Sequence, residues 1–239
     1  MESDIEQKTD ELYKEYYNRK GEERNDLLKN PEVLFQILGY DRAVVSAIAS
    51  TKLNPKTAKV LDVGCGDGAS MLNLVRLGFL PSNLYGIDII EERITQAKLK
   101  ISNINWILGN ASCLKFDDNF FECVMESTMF LQMTDDELSD KIAKEMIRVT
   151  KKHGYILLIL LIDWRYSHPF NKEYKGLSKK RITNLFDVGS KTSIFKIYKG
   201  ALVPPIGRFI SRNIPCIYFT LQKLFPFLVG QVVTVLKKS

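Results

Sequence analysis

Short apolar runs separated by segments of helical period give this chain its outline. Five runs, beginning at Val60, Leu84, Ile104, Phe121 and Tyr155, have the length of strands, and the last continues unbroken to Ile162. Such continuity fits a central strand covered on both faces. Helix-period segments lie between the runs. Leu72, Val75 and Leu77 fall on one side of a helix after the first run, and another helix begins near Glu91. Leu138, Ile142, Met146 and Val149 follow Thr134-Asp135-Asp136-Glu137, which reads as a capping box, with Gly154 after Lys151-Lys152-His153 as the helix stop. The alternation from 58 to 163 predicts an α/β fold with a doubly wound, mostly parallel sheet. Residues 1–30 and 31–49 have helical patterns, and a short helix is predicted around Ser178–Phe186.

The first run carries the most chemistry. Val60-Leu61-Asp62-Val63 breaks into Gly64-Cys65-Gly66-Asp67-Gly68 and then into a helix. Glycines let the backbone turn sharply and touch a ligand, and a helix start offers free N–H groups to an anion. Asp62 is placed to answer a ligand ammonium, so the corner suits an amino-acid-like ligand. The spacing is G-x-G-x-G, with Ala69 where a dinucleotide fingerprint carries its third glycine; since that motif also accepts alanine, spacing alone separates neither cofactor. The whole of Val60 to Gly68 resembles motif I of the class I S-adenosylmethionine-dependent methyltransferases, over roughly residues 10 to 165.

That resemblance implies S-adenosyl-L-methionine as cofactor, with Asp62, Gly64, Cys65, Gly66 and Gly68 forming its cradle. Asp88, ending the second run about twenty residues past Gly68, stands where a ribose-binding acid is expected, with Ile89 beside it. Asn110 and Ala111 take the position of the adenine contact, and Glu126 ends the fourth strand beside the methyl position. Thr192–Tyr198 and Gln231–Leu236 supply the antiparallel sixth and seventh strands, making a Rossmann-like methyltransferase sheet of seven. The implied organisation is a helical lid over residues 1–50, a cofactor-binding core over 51–164 and an acceptor-side segment over 165–239. Tyr17 is the lid residue expected at the cationic sulfonium.

Methyl transfer needs alignment, exclusion of water and, for an alcohol, removal of a proton; orientation alone is worth on the order of 7–11 kcal/mol. Glu126, Asp163 and His168 are the candidate bases. Trp164, Arg165 and Tyr166, at the strand edge where open α/β sheets bind ligands, are candidate acceptor contacts. No cluster of metal ligands stands out.

Charge adds one distinction. The net charge of +6 conceals 20 basic and 26 acidic residues over 1–164 against 14 basic and 2 acidic over 165–239. A basic acceptor side favours an anionic acceptor such as a sugar, a sugar phosphate, a nucleotide sugar or a phospholipid-linked glycan, with O-methylation preferred. The later segment resembles, in outline, methyltransferases of bacterial surface-polysaccharide assembly. An RNA methyltransferase is the rival enzyme and a non-catalytic cofactor-binding scaffold subunit the rival of another class. After the fourth strand stands Glu126-Ser127-Thr128-Met129, and the Asn/Asp-Pro-Pro-aromatic motif of exocyclic-amine methylases is missing.

Residues 204–230 are an apolar, aromatic helical insertion before the last strand, with Arg208, Arg212 and Lys223 interspersed. It is expected to cover the acceptor pocket or form a homodimer interface. Peripheral membrane contact ranks behind both, since Pro204, Pro205, Pro215 and Pro226 interrupt any long amphipathic helix. The four cysteines have no paired or metal-like spacing, the start of the chain is unlike a signal peptide, and no run approaches the roughly twenty apolar residues of a spanning helix. These features predict a cytoplasmic protein with reduced thiols.

Overall fold

The computed structural model describes residues 26–133, 135–162 and 177–239. Seven strands form one sheet: Val60–Val63 (β1), Leu84–Asp88 (β2), Asn105–Leu108 (β3), Phe121–Ser127 (β4), Thr150–Ile162 (β5), Thr192–Lys199 (β6) and Gln231–Lys238 (β7). Their order is β3-β2-β1-β4-β5-β7-β6. Neighbours from β3 to β5 are parallel, and β7 runs antiparallel to both β5 and β6. The expected doubly wound α/β sheet is present, and its order reverses between β1 and β4, the position at which such sheets open a ligand crevice.

Each face is covered by its own core. On one face lie Leu34–Thr51 (α1), Met71–Arg76 (α2) and Glu91–Lys100 (α3), burying Ala43, Val44, Ala47, Ile48, Met71, Leu74, Ile94 and Ala97. On the other lie Met129–Gln132 (α4), Asp136–Val149 (α5) and Lys179–Leu185 (α6), burying Phe130, Ile142, Ala143, Met146, Ile182 and Leu185. Ser178 caps α6 by accepting from the Arg181 N–H, as its hydroxyl at an N-cap should.

Several local expectations need correction. The buried side of α2 is Met71 and Leu74, while Leu72 is exposed; the helix is six residues long, too short for the longer stripe to hold. The cap of α5 is Asp135, one residue beyond the expected start, and its Oδ1 accepts from Glu137 N at 2.9 Å and Leu138 N at 3.1 Å. A carboxylate there also faces the positive end of the helix; Thr134 lies outside the described residues. Gly154 does not stop α5. The helix ends at Val149, and β5 begins at once with Thr150. The β4–β5 register shifts between Phe121–Thr150 and Cys123–Tyr155. His153 has φ 63°, and at Gly154 a Cβ would meet the Glu122 and Lys151 carbonyl oxygens at 2.9 Å. The glycine therefore serves a strand irregularity, where backbone approaches backbone.

The stretch Pro31–Thr51 is 21 residues of helix, long and apolar enough by those measures alone to cross a bilayer, contrary to the expectation that no run reaches that length. Its apolar side is half of a core: Gly39 lets it approach Gly200, whose carbonyl oxygen would lie 3.0 Å from an added Cβ.

The insertion between β6 and β7 is broken into Pro204–Asn213 (α7), a Pro215–Ile217 turn, Tyr218–Leu224 (α8) and a Pro226–Leu228 turn. Each piece except α8 starts with proline at its first turn, where the missing N–H costs nothing. Tyr218, Leu202, Ile210 and Val229 form a small core of their own, against which Phe35 of α1 packs. Gln231, the first residue of β7, pairs with Ile162, the last residue of β5. The insertion therefore stands at the carboxyl edge of the parallel strands.

Candidate active site

Two carboxyl side chains lie buried at the reversal of strand order. Asp62 on β1 and Glu126 on β4 are both fully buried, and Glu126 stands opposite Val63, one step along from Asp62 in the register. Ser70 donates its hydroxyl to Asp62 Oδ2, and Phe130 N donates to Glu126 Oε2 at 3.4 Å. Asp62 Oδ1 and Glu126 Oε1 are buried and accept no hydrogen bond. Burial pushes the Asp62 carboxyl up to about 7, and burial with the neighbouring Asp62 charge pushes Glu126 up to about 8. Two buried acidic groups, each with an oxygen that accepts no hydrogen bond, call for a cation.

The glycine loop turns as its sequence requires: Gly64, Gly66 and Gly68 have φ of 69°, 53° and 80°, a region costly for other residues. Their neighbours differ. Met129 lies against Gly64, with Sδ 3.0 Å from an added Cβ. At Gly68 an added Cβ would meet the Trp106 ring at 2.5 Å, so this glycine makes room for a core tryptophan rather than for a ligand. Trp106 also presses on Gly86, where Cys65 Sγ is near as well, and burial raises the Cys65 thiol.

The free helix-start N–H groups expected for an anion are already engaged. Gly64 N and Cys65 N donate to Ile87 O, Gly68 N to Cys65 O, Met71 N to Gly68 O and Leu72 N to Ala69 O. Gly64 and Cys65 thus reach across to β2, while the loop coils directly into α2 and the Gly68, Met71 and Leu72 amides each find a carbonyl three residues back. Two cations of α3 reach the loop: Lys100 pairs with the Asp67 carboxylate, and Arg93 Nη1 lies 3.6 Å from an added Cβ at Gly66.

Asp88 Oδ2 accepts from Gly66 N at 2.8 Å and Oδ1 from Ile90 N at 3.0 Å. A carboxylate offers about four acceptor positions, leaving two for the vicinal hydroxyls of a ribose. Ile89, half-buried, follows directly. Asn110 is less open than expected: its Oδ1 accepts from Ser112 N at 2.9 Å and from the Ser112 hydroxyl at 2.8 Å, a local turn. Ala111 packs on the core beneath β2 and β4.

Three features at the crevice have no signal in the linear pattern. Tyr40 of α1 interacts with Ser127 and lies near Asp62 and Glu126; burial pushes its phenol up to about 12. Thr128, just past β4, has φ 67°, and such strain in a non-glycine residue clusters at functional sites. Arg181 clamps the following turn, donating to Phe130 O at 3.1 Å and to Met133 O and the Ser139 hydroxyl at 3.2 Å. Tyr17, Asp163, Trp164, Arg165, Tyr166 and His168 lie outside the described residues. Among the described residues no three His, Cys, Asp or Glu side chains are grouped to hold a metal ion.

The family described as a methyltransferase domain matches residues 60–154, the span holding Asp62, the glycine loop, Asp88 and Glu126. Over that span the chain is similar to methyltransferase domains, in keeping with its resemblance to the class I S-adenosylmethionine-dependent methyltransferases. The ubiquinone/menaquinone biosynthesis C-methyltransferase UbiE of Pasteurella multocida is 33% identical to this chain over 129 residues, 52% of this chain and 47% of that protein. The chain thus spans about half the length of the curated relatives it matches. The methyltransferase fold is shared with the [4+2]-cyclase SpnF, with a TM-score of 0.61 and 16% identity over 83% of this chain and 81% of that one. It is shared also with the geranyl diphosphate C-methyltransferase of Streptomyces coelicolor, solved with Mg2+, geranyl diphosphate and S-adenosyl-L-homocysteine, with a TM-score of 0.55 and 15% identity over 80% and 77%. A cyclase among these structures shows that the fold alone does not fix the reaction.

The residues present fit the family's cofactor. The unsatisfied oxygens of Asp62 and Glu126 supply the anionic seat that an amino-acid ammonium requires, and Asp88 keeps acceptor positions for a ribose.

Proposed function

We propose that this chain transfers a methyl group from S-adenosylmethionine to a small anionic acceptor, preferably to an oxygen of a sugar, a sugar phosphate, a nucleotide sugar or a phospholipid-linked glycan. The observation that carries the reading is the pair of buried strand-end carboxyls, Asp62 and Glu126, each with an oxygen lacking a partner beside the glycine loop. Asp62 and Glu126 would hold the amino-acid end of the cofactor, Asp88 its ribose, and Ala111 with Asn110 the edge of its adenine. When bound, the cofactor supplies a methyl group already activated by a positive sulfur.

The chain's own task is then to orient the acceptor and keep water out. Of the roles open to Glu126, its full burial beside Asp62 favours the cofactor side over general base. Asp163 and His168 stay as the candidate bases, with Trp164, Arg165 and Tyr166 as acceptor contacts on the chain leaving β5. Tyr40, whose phenol keeps its proton at neutral pH, is suited to donate a hydrogen bond to the acceptor. The excess of basic residues after 164 supports an anionic acceptor. A carbon acceptor is the second reading, favoured by the curated relatives' description as C-methyltransferases.

The test is a transfer screen with S-adenosylmethionine over sugar phosphates, nucleotide sugars, phospholipid-linked glycans, phenolic ring carbons and RNA, read by mass spectrometry. Product in one of the first three classes, with the methyl on oxygen, supports the proposal. Product only on carbon moves it to the second reading. Cofactor binding without any product leaves a scaffold, and salt-dependent RNA methylation would overturn the acceptor class.

A further inference from the structure

The insertion has two faces, and only one is explained by the fold. Inward, Leu202, Ile210, Tyr218 and Val229 make its core. Gln222 anchors it, donating to Gly200 O and accepting from Arg42. Outward, Phe209, Leu224 and Phe227 are 64%, 65% and 61% exposed, and Ile206, Ile214 and Phe225 are exposed beside them. None of these outward side chains belongs to the insertion's buried core.

Their arrangement repeats. Arg212-Asn213-Ile214-Pro215-Cys216 and Lys223-Leu224-Phe225-Pro226-Phe227 are both exposed throughout. Each begins with a cation at a helix end, continues through apolar residues, and breaks at a proline that opens a new turn. The prolines forbid one long amphipathic helix, and in doing so they produce two protruding corners tipped with apolar and aromatic side chains.

Charge decides what such corners meet. From 204 to 230 the sequence carries Arg208, Arg212 and Lys223 and no Asp or Glu. A second copy of the chain, paired about a two-fold axis, would set this patch against itself and bring like charges together without an acid to answer them. Anionic lipid headgroups answer the cations, and the acyl boundary takes the aromatic tips.

We propose that the two corners and the outer side of α7 form a docking surface for an anionic lipid bilayer. The insertion stands at the carboxyl edge of the strands, the edge holding Asp62 and Glu126. Docking there turns that edge of the sheet toward the membrane. The inference goes beyond methyl transfer and is tested by binding alone, so either reading can fail without the other.

The full chain is sedimented with vesicles of phosphatidylcholine alone and of phosphatidylcholine mixed with phosphatidylglycerol. Two variants are compared, Phe209→Ser/Leu224→Ser/Phe227→Ser and Arg212→Glu/Lys223→Glu, with circular dichroism and S-adenosylmethionine affinity checking that each is folded. The wild type should partition onto mixed vesicles at least about tenfold better than onto neutral ones, and each variant should lose about tenfold or more. The proposal is overturned if the wild type stays in the supernatant, binds both compositions alike, or is matched by either folded variant. It is overturned equally if light scattering finds a dimer that the triple variant dissolves, which would make the face an interface between copies.

Discussion

At the scale of single residues, the crevice rests on acids that the folded chain alone satisfies poorly. Asp62 is fully buried with one oxygen unanswered, so its charge is a liability without a cation and an asset with one. Asp62→Asn should therefore leave the cofactor-free protein as stable as the parent or more so, while weakening S-adenosylmethionine binding at least about tenfold. Calorimetric titration and a melting curve on the same variant check both halves; unchanged affinity would show that the ammonium sits elsewhere. Asp88→Ala acts differently, because its carboxylate also fastens Gly66 N and Ile90 N. Binding should fall by roughly 1–3 kcal/mol, and the melting temperature should fall as well. A variant that loses stability but keeps its cofactor affinity would reduce Asp88 to a loop brace.

At the scale of elements, the glycine corner is held by a residue far from it in sequence. An alanine Cβ at Gly86 would lie 2.4 Å from the Trp106 ring and 2.9 Å from Cys65 Sγ. Gly86→Ala should cost roughly 1–3 kcal/mol of stability by overpacking, and Trp106→Leu in the same chain should cost less than the two changes summed. Denaturant melts of the four proteins test the coupling; simple additivity would mean that strand strain, not the ring, carries the cost. This contact marks where the linear pattern stopped being legible. The strands were readable because their apolar runs are continuous, and Asp62, Asp88 and Glu126 were readable because each closes such a run. Gly68 was readable as a turn but not as a seat for Trp106, since a partner 38 positions away leaves no local trace. Gly154 misled for a related reason: a glycine after a basic stretch fits a helix end as well as a strand irregularity, and only pairing with β4 separates them. Tyr40 and Arg181 reach the crevice from α1 and α6 through tertiary packing, so neither carried a signal. The inner side of the insertion was likewise invisible until Phe35 and Arg42 of α1 supplied its partners.

At the scale of the whole molecule, the buried acids tie stability to pH and both to the cofactor. In the unfolded chain Asp62 and Glu126 titrate at ordinary values of 3.8 and 4.5, whereas the folded values rise to about 7 and about 8. Between those limits the folded chain holds more protons than the unfolded one. Stability from this source is thus full below about pH 4 and is lost as pH rises toward 8. Other groups set the acid limit, so the clean window is neutral. From pH 6 to 8.5 the cofactor-free protein should lose on the order of 5 °C in melting temperature, and Glu126→Gln should flatten the slope. Saturating S-adenosylmethionine should flatten it too, because an ammonium beside the carboxyls lets them ionise at little cost. The same linkage requires that binding near pH 6 expel protons. Titration calorimetry in buffers of unlike ionisation enthalpy should register that release and show it fade above pH 8. A binding reaction that moves no protons near pH 6 would separate the cofactor from Asp62 and Glu126, however well the glycine loop is formed.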